Sequence, residues 1–174
     1  AVASMVGGLD IEQLSKWLDN GSGVLPATYL IIPNTAIATM SSMTFIASAR
    51  SSVSQDNHLL DIFNELGRAM LIEERLIPAA TSLASCGIAY ALRYIRAAME
   101  GGVELGIRAD DAKAIVMQTL RGAADILAAN GSHPEAEIDR VTTPGGLTIR
   151  GLNAMEAAGF THSVIEGLRA STKR

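Results

Sequence analysis

Ala1-Val2-Ala3-Ser4-Met5-Val6-Gly7-Gly8-Leu9-Asp10 decides the fold class. Residues 1–6 are an apolar run of strand length, and Gly7-Gly8 ends it. Asp10 follows as a helix cap, with Gln13 at the capping-box position. Ile11, Leu14, Trp17 and Leu18 then repeat at helical spacing, so Trp17 is expected in the core. Gly21-Ser22-Gly23 breaks that helix. Working outward, Thr28–Ile32 is a second β-rich run closed by Pro33-Asn34, and Met43–Ala49 is a third. Asn57–Leu66 is helical by the spacing of Leu59, Leu60, Phe63 and Leu66. Gly67 is expected to stop that helix, and Ala69–Ile72 reads as a last short strand. Strands alternating with helices imply an α/β unit with a mainly parallel sheet.

The composition changes near residue 78. Residues 1–78 hold 8 Ala and residues 79–174 hold 19, so the second part is a different architecture, all helical. A long helix is expected from Pro78 to about Leu105, apolar nearly all round at its start and therefore buried. Asp110 is expected to cap the next helix, which Asn130-Gly131 ends. Short helices are expected over Pro134–Val141, Thr148–Ala157 and Thr161–Ala170, with turns at Pro144-Gly145-Gly146 and Gly159. Leu76–Leu92 carries no charge over 17 residues. Its Pro, Ser, Thr and Cys residues favour a core helix over a membrane span.

The 174 residues carry 14 basic and 18 acidic side chains, a net charge of −4 and a pI near 5.3. That balance argues against an electrostatic nucleic-acid binder. The hydrophobic share of 48% is enough for a packed core. A single cysteine, Cys86, excludes an internal disulfide framework and fits a reducing compartment, so a cytoplasmic location is expected. His58, His133 and His162 are scattered, without the spacing of a metal site. No Gly-x-Ser-x-Gly elbow or P-loop is present.

Three segments suit a ligand better than a core. Val6-Gly7-Gly8 lies after a strand, where glycines let backbone approach a bound molecule. Ile32-Pro33-Asn34-Thr35 ends another strand, and an Asn carboxamide both donates and accepts. Val141-Thr142-Thr143-Pro144-Gly145-Gly146-Leu147-Thr148 leads hydroxyls and a glycine turn into a helix N-terminus, whose free amides suit a carboxylate or phosphate.

That last segment, continuing through Gly151-Leu152 and Met155-Glu156, resembles the signature of pyrroline-5-carboxylate reductases. Val6-Gly7-Gly8, Pro33-Asn34-Thr35, Met43-Thr44 and Ala89-Tyr90 support the likeness, which runs through essentially the whole chain. The resemblance implies the C-terminal part of a Rossmann-like domain over 1–78. A helical dimerisation and substrate-binding domain over 79–174 would follow. It implies reduction of 1-pyrroline-5-carboxylate to L-proline with NADPH or NADH, the last step of proline synthesis, in a dimer or an oligomer of dimers. Val6, Gly7, Gly8 and Asn34 would lie beside the cofactor. Thr143, Gly145, Gly146, Leu147 and Thr148 would hold the substrate carboxylate. No side chain is assigned as a catalytic acid or base, because a cyclic imine protonates readily. No metal, membrane or nucleic-acid partner is implied.

The sequence departs from the family pattern in places. Ala84-Ser85-Cys86-Gly87-Ile88-Ala89-Tyr90 stands where the family usually has Ser-Gly-Ser-Gly-Pro-Ala-Tyr. Arg93 occupies a position usually small or hydroxylated, and reads either as a carboxylate partner or as a snorkelling arginine. Cys86 sits among small residues, which suits packing. Glu137 stands where an aliphatic residue is usual. Nothing in residues 1–78 matches a Gly-rich phosphate turn, so pyrophosphate and most adenosine contacts are not expected here. The alternative reading is therefore a catalytically silent helical dimerisation module.

Overall fold

The computed structural model describes residues 1–172. Four strands, β1 (Val2–Ser4), β2 (Thr28–Ile32), β3 (Ser42–Ala49) and β4 (Gly67–Leu71), form one sheet in that order. Helix α1 (Ile11–Leu18) crosses between β1 and β2, which pair parallel with Ala3 opposite Tyr29. Helix α2 (Val53–Asn64) crosses between β3 and β4, also parallel, with Thr44 opposite Ala69. The central pair corrects the expected pattern. β2 and β3 run antiparallel, Leu30 opposite Ala47, because residues 33–41 hold only a 3₁₀ turn over Thr35–Thr39 and no crossover helix.

Each sheet face has its own core. Leu30 and Ala47 pack with Ile11 and Leu14 of α1, all buried. Tyr29, Ile31 and Ile46 form the opposite cluster, covered by Leu59, Leu60 and Phe63 of α2. Burial pushes the Tyr29 phenol pKa up, and its hydroxyl donates to Asp56 Oδ1 at 3.0 Å, which acts in the same direction. Arg50, at φ +60° just past β3, donates to Ser15 Oγ (2.6 Å) and Thr28 Oγ1 (2.9 Å) and joins α1 to the sheet.

Caps set the helix starts. Asp10 and Gln13 form the expected capping box on α1. Ser52 and Gln55 form a second box that starts α2 four residues before the expected Asn57. Gly67 opens β4 and does not itself end α2. Its φ of +141° and the Ser42 backbone pressed against it leave no room for a Cβ. Trp17 is 73% exposed, against its expected place in the core, because the chain supplies no element over that side of α1.

The expected long helix from Pro78 is continuous to Glu104, with a π-helical turn at Ser82–Cys86 between α3 (Ile77–Thr81) and α4 (Gly87–Glu104). Ser82 is buried, and its hydroxyl donates to the Leu168 carbonyl at 2.9 Å. The helical passage Glu74–Glu104 is long and apolar enough to cross a membrane by length and composition, yet only 6% of its most apolar window is buried. The expected burial is thus not supplied by the chain's own fold.

Helix α5 (Ala109–Asn130) starts after Arg108, which gives no side-chain cap. Asp110 lies inside its first turn and does not cap it; there, with Asp111, it meets the positive end of the helix dipole. Gly131 at φ +59° ends α5. Three helices follow: α6 (Pro134–Arg140), α7 (Leu147–Ala157) and α8 (Phe160–Thr172). The chain forms two compact units that part within α4: residues 1–89 with the chain from Leu168 onward, and residues 90–167. The sequence division at residue 78 falls within α3, inside the first unit. In the second unit Ala112 is the one buried residue; a Cβ on Gly102 would sit 3.2 Å from its own. Tyr90 donates to the Gly167 carbonyl at 3.0 Å, and Tyr94 meets Phe160 edge-on at 6.5 Å.

Candidate functional site

In the first unit a cleft of about 390 Å³ opens at the carboxyl ends of β1 and β2. That edge of an open α/β sheet is where ligands bind. Leu30, Ile32, Ile77 and Pro78 give it apolar walls, and Gly7 and Gly8 form its rim. Gly8 has φ +88°, and open space surrounds the position a Cβ would take on Gly7. The rim is thus bare backbone that a flat ring can approach.

Glu74 is the cleft residue that the sequence does not flag. Its Oε1 accepts from the Ile11 amide at 2.6 Å, across 63 positions of sequence. Asp10 Oδ1 accepts from the Gln13 amide at 2.6 Å. Two carboxylates thus serve the first turn of α1 at the cleft wall. Among the described residues no Lys or Arg lines the cleft. The donor set fits the ring and sugar end of a nucleotide, whose groups are apolar or hydroxylic, and does not fit a pyrophosphate.

The other two predicted cofactor residues do not line this cleft. Val6 is 64% exposed, and its amide donates to Ser4 Oγ at 3.2 Å. Asn34 is buried and engaged. Its Oδ1 accepts from the Ala36 amide (3.0 Å), capping the 3₁₀ turn, and its Nδ2 donates to the Ala84 carbonyl in the π segment (3.4 Å). The Asn34 amide donates to Ser42 Oγ at 3.2 Å, itself bonded to Thr44 Oγ1 at 3.1 Å. This carboxamide therefore ties the strand end to the helical passage.

In the second unit the predicted anion loop is contiguous. The Thr142 hydroxyl donates back to the Ile138 carbonyl at 2.6 Å, fastening the loop to α6. The Gly146 amide donates to the Thr143 carbonyl at 3.0 Å, closing a turn through Pro144 and Gly145, the latter at φ +70°. Gly146 is the N-cap of α7 and, lacking a side chain, leaves the first-turn amides at Leu147 and Thr148 without a side-chain acceptor. A Cβ on Gly146 would collide with Thr143 Oγ1. Leu147 is 84% exposed. The result is a helix N-terminus with positive dipole, free amides and two nearby threonines, a fitting cradle for a carboxylate.

Behind the loop lies an acid–base cluster. Glu137 Oε1 accepts from Arg140 Nη1 (2.6 Å), Asn130 Nδ2 (3.0 Å) and the Ser132 hydroxyl. These donors, Ser132 first, hold the Glu137 carboxyl below the usual carboxylate range. Cys86 is half-buried, and Arg93 is exposed. Among the described residues no group of His, Cys, Asp and Glu could hold a metal ion.

A Rossmann-like sheet with a glycine-rimmed cleft, followed by a helical unit with an uncapped helix start behind a glycine turn, defines the class: part of a nucleotide-type domain joined to a helical unit. The family model described as pyrroline-5-carboxylate reductase dimerisation matches residues 74–174. The chain belongs to the pyrroline-5-carboxylate reductase family. It is 42% identical to pyrroline-5-carboxylate reductase 1 of Dictyostelium discoideum, over 99% of this chain and 33% of that protein. To reductase 2 of the same organism it is 43% identical, over 99% of this chain and 62% of that one. The crystal structure of Plasmodium falciparum pyrroline carboxylate reductase with NADP bound superposes with a TM-score of 0.89 at 25% identity. That superposition covers 98% of this chain and 68% of the other. The chain thus spans between a third and about three-fifths of these curated relatives.

Proposed function

We propose that the protein carrying this chain reduces 1-pyrroline-5-carboxylate to L-proline with NADPH or NADH, the closing step of proline synthesis, in the cytoplasm. The observation that carries this reading is the uncapped start of α7 behind the Thr143–Gly146 turn, in a chain of this family. Residues 1–78 supply the C-terminal part of the nucleotide domain, and 79–174 the dimerisation and substrate-binding part. Val6, Gly7, Gly8 and Asn34 serve the nicotinamide end of the cofactor, the first three after β1 and Asn34 after β2, the strand paired with it.

When bound, NAD(P)H supplies the hydride. The chain's own contribution is placement. Amides at Gly146, Leu147 and Thr148, with the Thr143 and Thr148 hydroxyls, hold the substrate carboxylate and so fix the ring carbon that accepts the hydride. No side-chain acid is required, because the imine nitrogen carries its proton from solvent before the transfer.

In the intact protein Thr148→Val is expected to raise KM for the imine about tenfold, the worth of one hydrogen bond to a charged group. The KM for NADPH should stay unchanged. A KM for the imine equal to wild type removes Thr148 from carboxylate binding.

A second reading applies to the 174 residues taken alone: a self-associating helical module without turnover. The near absence of buried residues between 90 and 167 favours self-association. A cleft lined by no cation among the described residues favours weak nucleotide binding. Submicromolar NADPH binding by this chain alone would exclude the second reading.

A further inference from the structure

Glu137 departs from the aliphatic residue that the family resemblance leads one to expect. Its surroundings suit the charge. Helix α6 has 7 residues, too few to be stable by its own hydrogen bonds. At its start His133 accepts from the Glu135 amide at 3.3 Å. Beside the apolar facing of Ile138 and Leu127, Glu137 gathers three donors on one oxygen: Asn130 from the last turn of α5, Ser132 from the linker, and Arg140 from the end of α6 itself. The Glu137 side chain is only 15% exposed, so its bonds face little competition from water. The anion loop leaves α6 directly after Arg140. The Thr142 amide donates to the Asp139 carbonyl (3.2 Å) and its hydroxyl to the Ile138 carbonyl (2.6 Å). The position of Thr143 therefore follows the position of α6.

We propose that Glu137 is a positioning residue for the Thr143–Thr148 loop: its carboxylate pins α6 to the end of α5 and thereby sets where the loop's amides point. It touches neither substrate nor cofactor. The proposal rests on the reading of that loop as the carboxylate site.

The test compares Glu137→Leu and Glu137→Gln with wild type in the intact protein. Leucine removes the acceptor. Glutamine keeps an oxygen for Asn130 and Ser132 but loses the charge facing Arg140. Glu137→Leu is expected to raise KM for pyrroline-5-carboxylate about five- to tenfold. The kcat and the KM for NADPH should stay within about twofold of wild type, with Glu137→Gln in between. Amide exchange over residues 143–148 should quicken in the same order. Should the leucine variant fail to fold, Ser132→Ala, which removes a single donor, is expected to move both readouts the same way by a smaller amount. A variant that lowers the melting temperature but leaves imine KM and loop exchange at wild-type values overturns the proposal. Wild-type protein that does not reduce the imine overturns the reductase reading instead, and loop exchange alone then decides the role of Glu137.

Discussion

The two units differ in where their cores come from. Residues 1–89 bury Tyr29, Leu30, Ile31, Phe45, Ile46 and Ala47 on two faces of a sheet, each face covered by a helix of the same unit. Residues 90–167 bury Ala112 alone and leave Leu92, Ile115, Ile126, Val164 and Ile165 between 44% and 58% exposed. A helical unit of this size does not hold itself together with one buried alanine. The sheet of the first unit has a core of its own. The second unit has almost none, and the family model that matches this part of the chain is described as a dimerisation domain.

The largest effect expected is in the self-sufficient unit. Ile46 is fully buried between Tyr29 and Ile31, so Ile46→Ala should cost about 2–5 kcal/mol. Urea unfolding followed by the fluorescence of Trp17, on α1 of this unit, with far-ultraviolet circular dichroism reading the helices alongside, should give the same loss at every protein concentration. A loss that shrinks with concentration would mean that the first unit too depends on a partner. In the second unit, Ala112→Leu forces bulk against Gly102 and should cost about 1–3 kcal/mol in the same titration. A neutral result would show that α4 and α5 do not rely on this contact. The smallest effect is expected at the cleft. Glu74→Ala removes the acceptor of the Ile11 amide and should cost about 1–2 kcal/mol, read as faster exchange at the start of α1. Unchanged exchange there would leave Asp10 as the whole cap.

Local signals in the sequence were legible where one element sufficed to set them. The Asp10–Gln13 box, the Gly131 stop and the Thr143–Thr148 turn each lie within a few consecutive residues. The Ser52–Gln55 box lies as close in sequence and sets the α2 start at Val53 rather than Asn57. Contacts set by distant chain were not readable. Glu74 reaches Ile11 across 63 positions, and Asn34 reaches Ala84 across 50. Trp17 shows the same limit from the other side: helical spacing puts it on an apolar face, but only tertiary structure tells whether anything covers that face. The antiparallel β2–β3 pair was within reach, since residues 33–41 cannot hold a crossover helix. The apolar run after residue 76 suggests burial, yet only 6% of its most apolar window is buried, a difference that composition cannot reveal.

Sedimentation equilibrium of this chain, combined with amide exchange at several concentrations, tests the borrowed core most directly. A mass of at least twice 18.2 kDa is expected at micromolar concentration. Protection over residues 90–167 should rise with concentration while that of β2 and β3 stays constant. An 18.2 kDa monomer with equal, concentration-independent protection in both units would contradict it.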